Sequence, residues 1–200
     1  MVDELIAIAS YLSLAVFALY AWDLLVSLAG FLPLPLPPTP DAPKKRDALK
    51  RIAEEFHDVE IVVPVHFNPH VRRQVYAALE GTQRVRLLEP LGYEPFVQLL
   101  ARSYLVLTDS GGVQEEAPSL GTPVLVMRQT TERPEGVEAG VARLVGVETG
   151  GIVSHVTELM RDSDAYRDMV GKENPYGDGR AGIRIADILP EWYSAWGRHP

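Results

Sequence analysis

The 200-residue sequence contains no cysteine. This absence excludes disulfide bonds, thiolate catalysis and cysteine-ligated metal sites. Basic residues are also few, since 19 Lys and Arg against 27 Asp and Glu give a net charge of −8. A general nucleic-acid-binding protein needs a basic face to neutralise phosphates, so this balance argues against a nucleic-acid partner. A single phosphate ligand stays compatible, because backbone N–H groups and one or two arginines are enough to hold it.

Charge is almost absent from the first 32 residues. No charged side chain occurs from Leu5 to Trp22, and Asp23 is followed by a second uncharged stretch from Leu24 to Leu32. About 20 apolar residues span a bilayer, so residues 1–32 are predicted to form a hydrophobic helix that can serve as a transmembrane anchor. The first basic residues, Lys44 to Arg46, follow this run and would place the rest of the chain in the cytoplasm. A buried or unstructured segment is the alternative.

Proline is concentrated in the next stretch. Each proline fixes φ and removes a backbone donor, so residues 33–43 are predicted to be an extended linker. The prolines concerned are Pro33, Pro35, Pro37, Pro38, Pro40 and Pro43. The linker separates the hydrophobic segment from a predicted domain at 44–190, and residues 191–200 form a tail without an informative pattern.

Within residues 44–190, short β-branched runs alternate with segments of helical periodicity. This alternation predicts an α/β fold with a Rossmann-like parallel sheet that is covered on both faces. The predicted strands are 59–65, 84–88, 104–108, 124–127 and 142–145, and the predicted helices are 44–56, 71–79, 93–101, 114–120, 152–160, 165–169 and 182–189.

The segment Leu105 to Glu116, LVLTDSGGVQEE, is the strongest local pattern. A buried strand ends at Thr108–Asp109, a Ser-Gly-Gly turn follows, and a helix is predicted from about Val113. Glycines allow close approach of a ligand, and the unpaired N–H groups of a helix N-terminus attract anions. The pattern therefore predicts a phosphate site. The alternative is that Ser110 only caps the helix and the glycines only form a turn.

Charged residues on either side of this segment sharpen the interpretation. Glu115 and Glu116 lie in the first helical turn, where both together would repel a phosphate, so at least one is expected to point elsewhere, for example at ribose hydroxyls. Arg128 and Arg133 belong to a loop after a predicted buried strand. Arginine is the natural bidentate partner of a diphosphate, although a solvated loop is the simpler interpretation.

Several longer motifs occur in a fixed order: PVHFNP (64–69), YEPF (93–96), TDSGGVQEEAPSLG (108–121), VLVMRQTTERPE (124–135) and NPYGDG (174–179). In order and spacing they resemble the non-hydrolysing UDP-N-acetylglucosamine 2-epimerases. The resemblance implies the C-terminal half of a glycosyltransferase-B-like fold, in which two Rossmann-like domains close over a UDP-sugar. It also implies inversion at C2 of the sugar, UDP-GlcNAc to UDP-ManNAc, by elimination and re-addition of UDP, without a metal or other cofactor.

The resemblance also assigns roles to individual residues. Ser110, Gly111 and Gly112 would hold the diphosphate, Glu116 the ribose hydroxyls, and Phe96 would lie beside the uracil. Arg133 would contact the phosphates or the sugar across the cleft.

His66 is a candidate acid/base, although a histidine at a strand end beside Asn68 is equally a hydrogen-bonding structural residue.

Two departures from the family limit these expectations. The N-terminal domain, which supplies the carboxylates that move the C2 proton, has no counterpart, and the first strand of the C-terminal domain is predicted to be missing. The chain alone is therefore not expected to epimerise UDP-N-acetylglucosamine. It is interpreted either as a truncated or recombined gene product or as one half of an active site that a second chain or a homodimer completes. The alternative function is a membrane-tethered UDP-sugar-binding module without catalysis.

Overall fold

The computed structural model describes residues 12–17, 41–170 and 172–196, which form six strands and eight helices.

 The strands are β1 (Leu12–Phe17), β2 (Val59–Pro64), β3 (Val85–Leu88), β4 (Val106–Thr108), β5 (Val124–Val126) and β6 (Ala142–Leu144). The helices are α1 (Ala42–Glu55), α2 (Pro69–Leu79), α3 (Tyr93–Arg102), α4 (Gly111–Ser119), α5 (Pro134–Glu138), α6 (Thr149–Arg161), α7 (Ser163–Val170) and α8 (Ala181–Trp196).

The six strands form one parallel sheet in the order β3-β2-β1-β4-β5-β6. This is the order of a doubly wound Rossmann sheet, and the predicted α/β class is confirmed. The strand order reverses between β1 and β4. In such sheets, ligands bind in the crevice outside the carboxyl ends of the strands at this reversal. The carboxyl end of β4 is therefore the place to look for a site.

Strand β1 corrects the prediction that the first strand is missing. Leu12–Phe17 pairs with β2 on one side and with β4 on the other, so it occupies the centre of the sheet. The same six residues lie inside the predicted hydrophobic helix, which is therefore wrong for this segment. A central strand of a parallel sheet is covered on both faces and is apolar throughout, so hydropathy alone does not separate it from an apolar helix.

The other predictions for the first 43 residues are only partly open to comparison. Residues 1–11 and 18–40 lie outside the described residues, and with them most of the predicted hydrophobic helix and linker. Ala42 and Pro43 belong to the first turn of α1 and not to the linker, as proline is well tolerated there. Among the described residues, no helix has the length and apolar character needed to cross a membrane.

Two further corrections concern helices. The predicted tail at 191–200 begins inside α8, which runs on through Pro190 to Trp196. The short helix α5 was not predicted, because its five residues are too few to show a helical period. Most other boundaries move by one to three residues, as helix ends commonly do.

Each face of the sheet carries its own apolar cluster. The larger cluster joins α1, α2, α6 and α7 to Leu107 and other alternate strand residues and to Leu105, which precedes β4. The smaller one joins α3 and α4 to the intervening residues such as Val106, and Phe96, Val137 and other half-buried side chains pack against it. Because successive side chains of an extended segment point to opposite faces, the consecutive residues Leu105, Val106 and Leu107 contribute alternately to the two clusters. This two-sided packing fixes the end of β4 in place.

Candidate functional site

The carboxyl end of β4 leads directly into helix α4. Thr108 is fully buried, and its Oγ1 accepts a hydrogen bond of 3.0 Å from the Ser110 N–H. Helix α4 begins at Gly111, so Gly111 and Gly112 form its first turn and not a separate turn before it. The hydroxyl of Ser110 makes no capping hydrogen bond within the described part of the chain, which removes the main support for a purely capping role. We call Ser110, Gly111 and Gly112 the α4 N-terminus.

A largely buried ion pair holds Asp109, the residue just before the α4 N-terminus. Lys45 of α1 is 6% exposed, and its Nζ lies 2.8 Å from Oδ2 of Asp109. The pair joins α1 to the end of β4 and balances a carboxylate that would otherwise face any anion bound beside it. Sequence reasoning missed this lysine. Its position in the sequence could have revealed it. Lys45 stands three and four residues before Ala48 and Leu49, a spacing that places it on the buried face of α1.

The loop after β5 lies against the α4 N-terminus. A Cβ built on Gly111 would be 2.6 Å from Oε1 of Glu132 and 3.9 Å from Cζ of Arg133. A Cβ on Gly112 would meet nothing within 4 Å. The predicted phosphate site is therefore crowded by the loop at its first glycine and open at its second.

Ion pairs and hydrogen bonds hold this loop. Arg128 Nη1 lies 2.5 Å from Oε2 of Glu132, and Arg133 forms an ion pair with Glu115 of α4. The hydrogen bond to Glu115 raises the pKa of Arg133 above its usual value. Thr131 Oγ1 donates a 2.6 Å hydrogen bond to Oε1 of the buried Gln114. Both arginines of the loop are thus paired with a carboxylate, Arg128 within the loop and Arg133 with α4.

The two adjacent glutamates of α4 have different surroundings. Glu115 faces Arg133. This contact is compatible with the expectation that at least one of the two glutamates points away from a bound phosphate. Glu116 is half-buried, and it has no hydrogen-bond or ion-pair partner among the residues that the structure describes. Burial raises the pKa of Glu116, and the nearby charge of Glu115 raises it further. A carboxylate in this position has unused hydrogen-bonding capacity, which is what a hydroxyl-binding role needs.

The other two predicted site residues lie on neighbouring elements. Phe96 is in the first half of α3 and packs against the cluster that contains Val113 and Ala117 of α4. His66 follows β2, and its Nδ1 accepts a 3.1 Å hydrogen bond from the Asn68 N–H. This contact fits the structural interpretation of His66. The structure brings Ser110, Gly111, Gly112, Glu116 and Arg133 together at the start of α4. It places Phe96 on helix α3 and His66 in the loop after β2.

The motif at 174–179 supports the same region from outside. Asn174 Nδ2 donates a 2.8 Å hydrogen bond to Ser119 Oγ at the end of α4. The Tyr176 hydroxyl donates to the carbonyl oxygen of Arg133 at 3.4 Å and lies against Gly136. Burial raises the pKa of Tyr176. The motif therefore fixes the backbone on which Arg133 stands.

These elements match a known family. The family model described as UDP-N-acetylglucosamine 2-epimerase matches residues 41–190. The chain belongs to this family. Curated relatives named UDP-N-acetylglucosamine 2-epimerase are 54% identical over 142 residues in Escherichia coli (strain K12) and 52% identical over 143 residues in Campylobacter jejuni. The aligned segments cover 71% and 72% of this chain but only 38% and 37% of those proteins.

Solved epimerase structures have the same fold. The S. aureus MnaA–UDP co-structure gives a TM-score of 0.83 at 32% identity and covers 99% of this chain and 49% of that chain. The UDP-GlcNAc 2-epimerase from Neisseria meningitidis bound to UDP-GlcNAc gives 0.76 at 36% identity and covers 91% of this chain and 45% of that chain. The chain thus spans less than half the length of each of these four relatives.

Proposed function

We propose that this chain binds the UDP part of a UDP-sugar at the α4 N-terminus and forms the nucleotide-binding half of a UDP-N-acetylglucosamine 2-epimerase. The observation that carries the proposal is that α4 begins on Gly111 and Gly112, separated by only two residues from the end of β4, at the strand-order reversal. Unpaired N–H groups and the helix dipole make such a terminus favourable for a diphosphate. The solved relatives with UDP and UDP-GlcNAc support this choice of ligand.

In this proposal the residues around the α4 N-terminus each contact a different part of the ligand. The backbone of Ser110, Gly111 and Gly112 holds the diphosphate, and Arg133 adds a guanidinium group from the loop. Glu116, with its unused acceptor oxygens, takes the ribose hydroxyls. Phe96 lies beside the uracil.

Holding UDP firmly matters for the proposed reaction. Epimerisation by elimination and re-addition releases UDP and then uses it again on the same sugar, so charge that develops on the leaving diphosphate must be stabilised in place. The α4 N-terminus and Arg133 supply that stabilisation. His66 is the candidate acid/base on this chain, although the family's proton-moving carboxylates are not among the residues matched here.

We further propose that a separate chain, equivalent to the part of the relatives that is not matched here, completes the active site. The Escherichia coli and S. aureus relatives are longer than the matched segment, and their unmatched part is what this partner would supply. Helix α8 offers a surface for it, because its large apolar side chains are 52% to 71% exposed. A contiguous apolar stripe of this kind commonly marks an interaction surface. Its members include Ile183, Ile185, Ile188, Leu189 and Tyr193.

Calorimetry and an activity assay on the full chain test both proposals. We expect UDP to bind and uridine to bind more weakly, and we expect no conversion of UDP-N-acetylglucosamine to its manno epimer by NMR. Adding the separately expressed N-terminal half of the Escherichia coli relative should restore turnover. Absence of UDP binding would refute the nucleotide-binding proposal. Robust turnover by the chain alone, or by a homodimer of it, would refute the need for a separate partner.

A further inference from the structure

We propose that the carboxylate of Glu132 competes with the ligand phosphate for the α4 N-terminus and so limits nucleotide affinity. The inference rests on the proposed UDP-binding function and adds a residue to which no role has been assigned. A carboxylate and a phosphate are both anions and both favour the N-terminal end of a helix. They cannot occupy the same position beside Gly111.

The position of Glu132 is the first observation. Its Oε1 would lie 2.6 Å from a Cβ on Gly111, so the carboxylate is in direct contact with the first residue of α4. Its Oε2 is 2.5 Å from Nη1 of Arg128. The carboxylate therefore stands between the helix N-terminus and a guanidinium group, which is where a phosphoryl group would gain most.

The second observation is that only the side chain has to move. Thr131 Oγ1 donates to Gln114 and accepts a 3.0 Å hydrogen bond from the Arg133 N–H, so the backbone is fixed on both sides of Glu132. The Glu132 side chain itself is 43% exposed. The Glu132 carboxylate can turn into solvent and stay hydrated, so its displacement does not create a buried unpaired carboxylate.

Displacement also releases a cation. When Glu132 turns away, Arg128 loses its carboxylate partner and becomes available to the phosphate. A ligand must displace the Glu132 carboxylate from its position beside Gly111. A more highly charged ligand does this more readily, because it gains more from the helix N-terminus and from Arg128. Glu132 should therefore weaken binding of UDP and leave binding of uncharged uridine unchanged.

Calorimetry of the full chain with UDP and with uridine tests the inference. For Glu132→Gln and Glu132→Ala we expect UDP to bind roughly fivefold more tightly, the size of a favourable helix-terminus charge effect. Uridine affinity should not change. Glu138→Gln is the matched control, because it removes the same charge from an exposed position on α5.

The outcomes separate the inference from the function on which it rests. Binding by a Glu132 variant but not by the wild type would also support the competition. Wild-type binding with no gain in either variant, or an equal gain in Glu138→Gln, would overturn the inference alone. Absence of UDP binding in the wild type and in every variant would overturn the proposed function and the inference together.

Discussion

Two pairs of neighbouring ionisable residues, on opposite faces of the sheet, show how burial acts differently on the scaffold and on the site. Tyr104 and Tyr166 stack with ring centroids 4.0 Å apart, and burial raises the pKa of Tyr166 to about 12. Both hydroxyls donate hydrogen bonds, to the carbonyl oxygens of Leu159 and Tyr104 at 3.0 and 2.8 Å. Since a tyrosine is neutral at pH 7, its burial carries no charge penalty there.

The glutamate pair on α4 has the opposite balance. Burial and the charge of Glu115 raise the pKa of Glu116, so keeping this carboxyl ionised costs more in the fold than in water. The fold therefore carries an electrostatic cost at Glu116 that it does not carry at Tyr166. Such costs are common where residues are kept for binding and not for stability. The comparison predicts that changes on the two faces separate stability from ligand affinity.

The largest effect is expected from the scaffold. Ile152 of α6 is fully buried in the larger cluster, so Ile152→Ala should lower the free energy of unfolding by about 2–5 kcal/mol through lost burial and a residual cavity. UDP affinity of the folded fraction should stay within about twofold of wild type. Urea unfolding and calorimetry measure the two quantities. Val153→Ala, at a half-buried position next to it, should cost less, and a specific loss of UDP affinity in Ile152→Ala would break the comparison.

The next effect is expected at the α4 N-terminus. Gly111→Ala puts a methyl group where Glu132 and the proposed phosphate lie, and we expect UDP affinity to fall by roughly 30-fold, about 2 kcal/mol. The melting temperature should change little, because the group that must yield is the end of a flexible side chain. Gly150→Ala is the matched control, since Gly150 also lies in the first turn of a helix and its Cβ would meet nothing within 4 Å. Equal losses of UDP affinity in both variants would argue against a phosphate at Gly111.

The sequence predicted the strands after residue 58 because each is short, β-branched and bounded by turn residues. It failed at β1, where an apolar central strand and an apolar helix have the same hydropathy. For the site, the pattern at 105–116 located the α4 N-terminus and the glutamates. It did not identify Lys45 or Glu132, because the contact of Lys45 with Asp109 joins elements 64 residues apart and that of Glu132 with Gly111 depends on how the loop folds back.

The smallest effect is expected at Glu116, and its sign is the sharpest test of the comparison. The pKa of Glu116 is raised above its ordinary value of 4.5, so ionisation destabilises the fold as pH rises through and above that value. Glu116→Gln should therefore raise the melting temperature at pH 7 by about 1–2 °C, and the gain should be lost as pH falls well below 4.5. UDP affinity should fall by roughly tenfold, as expected for the loss of a charge-assisted hydrogen bond.

Glu138→Gln serves again as the control, because its exposed carboxylate should give no stability gain at either pH. A Glu116→Gln variant that loses stability at pH 7 would show that the carboxylate is satisfied within the fold, and the contrast with Tyr166 would then fail. A variant that gains stability but keeps its UDP affinity would support the electrostatic contrast with Tyr166. It would also show that Glu116 does not bind the ribose. Only the combined result, more stable and weaker in binding, ties the cost of this buried charge to the nucleotide.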